Sequence, residues 1–243
     1  QKAPMSPVLN SFQQPIGAPA PEWTVRPRPE RITLHGRYCR LEPLDAARHA
    51  ADLHAAYAQA PDQRGWTYML MGPFDDLDSY RAYARQAEQS SDPLHYAVID
   101  LSSGQALGTL ALMRIDPANG AIEVGTVMFS PRLQRTPAST EAQFLLMHYA
   151  FDTLGYRRYE WKCDSLNAPS RQAALRLGFQ FEGIFRQSGF YKGRSRDTAW
   201  FAIIRSDWPA LRHAMEQWLS PENLRADGTQ RQALAALRGM TAT

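Results

Sequence analysis

Between residues 121 and 155 a strand, a polar loop and a helix follow one another without interruption, and this unit restricts the chain more than any other stretch. Ala121-Ile122-Glu123-Val124-Gly125-Thr126-Val127-Met128-Phe129 is rich in β-branched and apolar residues and alternates with a two-residue period. The alternation predicts Glu123, Gly125, Val127 and Phe129 on one face and Ile122, Val124, Thr126 and Met128 on the other. Ser130-Pro131-Arg132-Leu133-Gln134-Arg135-Thr136 follows as a loop. Phe144, Met147, Phe151 and Leu154 then recur at three- and four-residue steps, with Thr136 as N-cap, Pro137 at the first helical position and Gly155 just past the end. Such a unit points a helix N-terminus, with unpaired N–H groups and partial positive charge, at whatever lies over the loop. That geometry suits a phosphate, and Arg132 and Arg135 add charge; an ordinary turn with solvated arginines is the other reading. The loop has neither the glycine-lysine-serine run of a Walker A sequence nor the three glycines of a dinucleotide fingerprint.

The loop does resemble the acyl-CoA pyrophosphate loop of the GNAT N-acetyltransferase superfamily, whose pattern is Gln or Arg, two residues, Gly, one residue, then Gly or Ala. The matching residues are Gln134-Arg135-Thr136-Pro137-Ala138-Ser139, followed by Thr140-Glu141-Ala142. Pro137 and Ser139 stand where the pattern has small residues, which removes one backbone donor and crowds the approach. A second block agrees in order and distance. Asn167-Ala168-Pro169-Ser170, then Leu175, Gly178-Phe179 and Glu182-Gly183, is similar to the Asn-x-x-Ser … Gly-Phe-x-x-Glu-Gly run of the ribosomal-protein N-terminal acetyltransferase (RimJ/RimL-type) branch. The resemblance spans roughly residues 31 to 205 and is most specific from 121 to 183.

The 243 residues suffice for one domain with extensions: a proline-rich arm over 1–30, which carries seven of the 17 prolines, a core over 31–205 and a helical extension over 206–243. In the arm, Trp23 and Val25 are the residues expected to dock. No apolar run approaches the ~20 residues needed to cross a membrane, and no basic segment precedes an apolar one at the start, so a cytoplasmic protein is expected. Cys39 and Cys163 form no metal or redox spacing, the six histidines are scattered, and no metal site is expected. A net charge of +3 and a pI near 9.0 are modest for a nucleic-acid binder and equally favour an anionic cofactor, so no nucleic-acid partner is expected.

Periodicity predicts helices from Asp45 to about Ala60, Asp76 to Gln89, Asn167 to Leu177, Trp208 to Leu219 and Thr229 to Arg238. Strands are expected near Ile32–Leu34, Tyr38–Leu41, His95–Asp100, Ala106–Ile115, Tyr156–Cys163, Phe179–Arg186 and Thr198–Ile204. Short turns make most neighbours antiparallel, whereas the helical crossover makes Tyr156–Cys163 parallel to the 121–129 strand. The expected fold is thus α/β in the mixed α+β sense: a mixed, mostly antiparallel sheet with helices on both faces. The resemblance adds that the parallel pair splays apart to admit a pantetheine arm. Trp208, Leu211, Met215 and Trp218 form a stripe that either packs on the domain or meets a second copy in a homodimer.

The resemblance implies acetyl-CoA as co-substrate and transfer of its acetyl group to a primary amine, on a small molecule or a protein N-terminus. A non-catalytic acyl-CoA-binding or regulatory protein on the same fold is the alternative. The implied cofactor contacts are backbone around Val127, Met128 and Phe129, the loop residues Gln134, Arg135, Thr136, Ala138, Ser139 and Thr140, and Asn167 and Ser170. Glu123 is the candidate base, since a carboxylate on an apolar strand gains proton affinity from desolvation; pairing with one of the 24 arginines is the competing role. Ser170 is the candidate acid for the departing thiolate, with Tyr191 behind it. Cys163 reads as a small core residue rather than an acyl relay. The segment Trp66 to Phe74, aromatic for a connection, either covers the core or forms the acceptor side through Trp66, Tyr68 and Phe74, with Tyr191 nearby.

Overall fold

The computed structural model describes residues 7–240. Two short strands, β1 (Val8–Leu9) and β2 (Pro15–Ile16), make a hairpin in the arm. The main sheet then begins with β3 (Leu34–His35) and β4 (Cys39–Pro43). Asp45 accepts from the Arg48 N–H and starts α1 (Ala46–Ala58); Asp76 does the same through Ser79 for α2 (Leu77–Gln89). Three antiparallel strands follow: β5 (Leu94–Asp100), β6 (Ala106–Asp116) and β7 (Ala121–Phe129).

Thr136 caps α3 (Pro137–His148), which runs on through a π turn at Tyr149–Thr153 before Gly155 turns the chain with φ +75°. Next come β8 (Arg158–Asp164), α4 (Ala168–Leu177) and the long hairpin β9 (Gln180–Tyr191) and β10 (Arg194–Ile204). The chain closes with α5 (Trp208–Leu219) and α6 (Leu234–Met240). The last helix starts five residues later than its pattern predicts, because Arg225 and Asn223 tie down the 229–232 stretch as a turn.

The eight strands lie in the order β3-β4-β5-β6-β7-β8-β10-β9, antiparallel except for β7 with β8. Residues of α1 and α2 bury one face around Leu53, Tyr57, Trp66 and Tyr80. Helices α3 to α6 cover the other, and Trp208, Leu211, Met215 and Trp218 belong to that core. Trp208 lies at 5.1 Å from Phe151 in a near-parallel stack.

The arm is partly docked. Trp23 donates its indole N–H to the Ala118 carbonyl, Arg26 donates its backbone N–H to Pro117, and Tyr156 donates to the Pro27 carbonyl. Val25, expected to dock beside Trp23, is instead 70% exposed: the arm is held there through the Arg26 backbone and the Trp23 indole.

The predicted alternation of β7 holds only to Gly125. Between Gly125 and Met128 the ladder to β6 slips, with two residues of β7 opposite the single Leu110. Thr126 takes a left-handed φ of +47°, an uncommon conformation for a β-branched residue and the mark of a bulge. As a result Val127 and Phe129 pack against the same core as Ile122 and Val124, while Met128 turns to the α1/α2 face. A two-residue pattern cannot anticipate an inserted residue.

Candidate active site

The parallel ladder between β7 and β8 comprises three pairs, Ala121 with Arg158, Ile122 with Tyr159 and Glu123 with Glu160. Beyond Glu123 the strands part. The rest of β8 pairs only on its far side, with Phe201 to Thr198 of β10, and Val124 to Phe129 have no partner on β8 among the described residues. The bulge at Thr126 turns β7 away at this point, and the Met128 carbonyl is held from the other side by the Tyr57 hydroxyl at 3.0 Å. The Thr126 hydroxyl is buried with no hydrogen-bond partner. An open edge and an orphaned hydroxyl at the same bulge leave polar groups for a bound molecule to satisfy.

The loop after β7 delivers the N-terminus of α3 to the same side of the chain. Gln134 donates its amide to the Phe129 carbonyl at 2.8 Å, and Thr136 donates to Leu133 while accepting from Ser139. These bonds fold the loop tightly, and Arg135 takes φ +59°. The N–H groups of Arg135, Thr136 and Ala138 find no acceptor among the described residues, and the Arg135 side chain is exposed without an ion-pair partner there. The position that Pro137 fills would have been among the unpaired donors in any case. Ser139 turns its hydroxyl back onto the Thr136 carbonyl at 2.8 Å, and Thr140 is buried with its hydroxyl engaged by Arg176. Arg132 is drawn to Gln105 at 2.6 Å, away from the loop's donors.

Across the opening, Asn167 caps α4 by accepting the Ser170 N–H at 3.2 Å. The Ser170 hydroxyl accepts the Trp161 indole N–H at 3.0 Å, which fixes its lone pairs and leaves its proton to give. Cys163 lies close by; burial pushes its thiol pKa up, with a hydrogen bond from Ser170 opposing. The thiol is thus held in the neutral form, as expected of a core cysteine.

Glu123 sits at the last rung before the strands part and is 1% exposed. Lys162 approaches it at 3.2 Å and Arg114 at 3.4 Å, and Arg114 also reaches Glu160 at 3.3 Å. Burial raises the carboxyl's pKa above the usual glutamate value, while Lys162 and then Arg114 pull it down. Glu123 is thus at once a desolvated carboxylate and an ion-pair member. The two cations lie over the Trp200 ring at 5.4 and 4.7 Å. Lys162, Arg114 and Trp200 are site residues that sequence reasoning missed. Only the register of β6, β8 and β10 around β7 brings them to Glu123, and no motif encodes that register.

The aromatic connection divides by role. Trp66 is buried and meets Tyr57 and Phe74 edge-on at 5.4 and 5.5 Å, and Phe74 packs on Tyr80 and Tyr83. These two rings cover the core. Tyr68 is half-buried and reaches the Leu166 carbonyl at 3.4 Å, beside Asn167. The turn of the β9–β10 hairpin clamps this segment from above: Lys192 donates to the Trp66 carbonyl at 2.6 Å and to Met71 at 3.3 Å, and Arg194 to Thr67 at 2.6 Å. Tyr191 lies at the end of β9, not in a loop, and donates to Asp164 at 2.5 Å. Burial, then the Asp164 carboxylate, raises its pKa, so its proton is held rather than offered.

Among the described residues no cluster of three or more His, Cys, Asp or Glu could hold a metal ion, and no helix is long and apolar enough to cross a membrane. Residues 39–180 match the family described as Acetyltransferase (GNAT) domain. The chain is 28% identical over 182 residues to "Uncharacterized N-acetyltransferase p20" of Bacillus licheniformis, covering 74% of this chain and 96% of that one. It is 32% identical over 100 residues, 41% of this chain and 55% of the other, to "Ribosomal-protein-serine acetyltransferase" of Escherichia coli. The crystal structure of a GCN5-related N-acetyltransferase from Brucella melitensis superposes with a TM-score of 0.88 at 51% identity, covering 89% of this chain and 98% of that one. With its open parallel pair, its donor-rich loop at the head of α3 and these likenesses together, the chain belongs to the GNAT acetyltransferase family.

Proposed function

We propose that this chain acetylates the α-amino group of a peptide or protein, using the space between β7 and β8 for acetyl-CoA. The observation that carries this reading is the ladder that stops at Glu123: it leaves β7 backbone groups, the Thr126 hydroxyl and the N–H groups at the head of α3 to be satisfied by one extended, anionic molecule. Acetyl-CoA would supply the activated acyl group. The donors of Arg135, Thr136 and Ala138 fit its diphosphate, the β7 backbone around Val127 to Phe129 fits its pantetheine, and Asn167 and Ser170 border the same opening.

On this reading Glu123 takes a proton from the incoming ammonium, aided by its raised pKa, and Lys162 and Arg114 keep the carboxylate charged and aimed. As the amine bonds to the acetyl carbonyl and the thioester C–S bond breaks, the Ser170 hydroxyl, held by Trp161, would give its proton to the departing CoA thiolate. Tyr68 and the clamped 66–71 segment form the acceptor's wall. A peptide acceptor is favoured by the curated relative whose name is a ribosomal-protein-serine acetyltransferase.

The experiment is a thiol-release assay with acetyl-CoA against short peptides of varied first residue and against small primary amines. Turnover on a peptide and none on small amines is the expected result; turnover on small amines alone would overturn the acceptor class. Two variants separate the parts. Arg135→Gln is expected to raise the KM for acetyl-CoA about tenfold with kcat little changed, the loss of one charge-assisted phosphate contact. Ser170→Ala is expected to lower kcat about tenfold with that KM held, measured in the same assay.

A further inference from the structure

Away from the acetyltransfer site, the docked arm closes one side of a cleft of about 720 Å³ lined by Trp23, Arg26, Arg157, Arg158 and Arg205, with Glu22 as its one acidic residue. Arg157 and Arg158 stand at the start of β8 and Arg205 just after β10, while Asp164 and Asn167 border the other end of β8. The cleft therefore lies a strand length, about 20 Å, from the Asn167 end of the opening, and two residues along β8 from Glu160, the rung opposite Glu123.

The four guanidinium groups are unequally compensated. Arg158 pairs with Glu160 and Glu182, both at 2.9 Å. Arg157 and Arg205 are exposed and have no anionic partner among the described residues. Arg157 has only the Trp23 ring, at 5.8 Å. Arg26 lies over the same ring at 4.4 Å and gives one N–H to the Thr24 hydroxyl, but its Nε is buried with no acceptor among the described residues. A buried charged donor without a partner is costly, and three uncompensated cations along one concavity repel one another. An oxyanion between them relieves the repulsion, because the planar guanidinium fork matches it with paired hydrogen bonds. The concavity has room for a small molecule.

We propose that this arginine cleft binds a phosphate-bearing small molecule, at a site distinct from the donors at the head of α3. The test is calorimetric titration of the full chain with inorganic pyrophosphate while CoA is held at saturation, so that the loop after β7 is already occupied. One further saturable binding event is expected. Arg157→Gln/Arg205→Gln, changed at two exposed side chains, should weaken it at least about tenfold while leaving CoA binding intact, and Arg135→Gln should leave it unaltered. The proposal is overturned if no saturable event remains once CoA is present, if the double variant binds pyrophosphate as tightly as the parent, or if potassium chloride of equal ionic strength produces the same heat.

Discussion

Glu141→Ala is expected to lower the unfolding free energy by roughly 3–5 kcal/mol, since each N–H that loses its acceptor on burial costs about 1–3 kcal/mol. The Glu141 carboxylate, 4% exposed on α3, accepts the backbone N–H groups of Arg37, Tyr38 and Cys39 at 3.0, 2.7 and 2.9 Å. It thereby fastens the β3–β4 hairpin to the helix whose N-terminus forms the candidate diphosphate site. No side chain other than glycine fits opposite it: a Cβ on Gly36 would lie 2.1 Å from a Glu141 oxygen. Alanine leaves three donors without an acceptor and a void beside them, whereas glutamine keeps one accepting oxygen and should lose less. Urea titration of parent, alanine and glutamine variants orders the three. A loss below about 1 kcal/mol for alanine, the size of an ordinary neutral hydrogen bond, would show that water replaces the carboxylate freely.

Glu123→Gln is expected to lower kcat/KM by about 100-fold or more, the usual contribution of a positioned proton acceptor. A base acts only when deprotonated. Rates in the parent should therefore rise with pH along an acid limb whose midpoint lies above the ordinary glutamate range, because burial raises this carboxyl's pKa against the pull of Lys162 and Arg114. Glutamine should abolish that limb and leave the KM for acetyl-CoA alone. Stability runs in the opposite sense. The folded chain keeps the Glu123 proton to higher pH than the unfolded chain does, so this residue's contribution falls as pH rises from the unfolded to the folded pKa and is fully unfavourable above it. A merely structural ion pair would alter stability without moving the acid limb. A glutamine variant that retains the parent's rate and limb would remove Glu123 from the chemistry.

Much of the secondary structure is local and was readable from the chain. Asp45, Thr136 and Asn167 cap their helices as expected, because a cap is a bond between residues two or three apart. The helical crossover from β7 to β8 required a parallel pair, and the pair is present. The boundary of the last hairpin was not readable: β9 runs on to Tyr191 and β10 begins at Arg194, since its polar, exposed outer half has no hydrophobic period to follow.

The site itself was half visible. Glu123 could be singled out as a carboxylate on an apolar strand, and Ser170 through the family resemblance of the Asn167–Ser170 run. Their partners Lys162, Arg114 and Trp161 could not, since strand register and helix packing bring them there from 9 to 39 positions away in sequence. The sequence by itself determined most of the helices and strands of the main sheet, where the capped helices begin, and that a polar loop precedes α3; these depend on contacts within a few residues. The tertiary structure alone decided that β7 bulges at Thr126, that its ladder to β8 ends at Glu123, and that a buried carboxylate there meets two cations. Each of those follows from how strands from distant parts of the chain settle against one another, a balance of packing and pairing that no local pattern records.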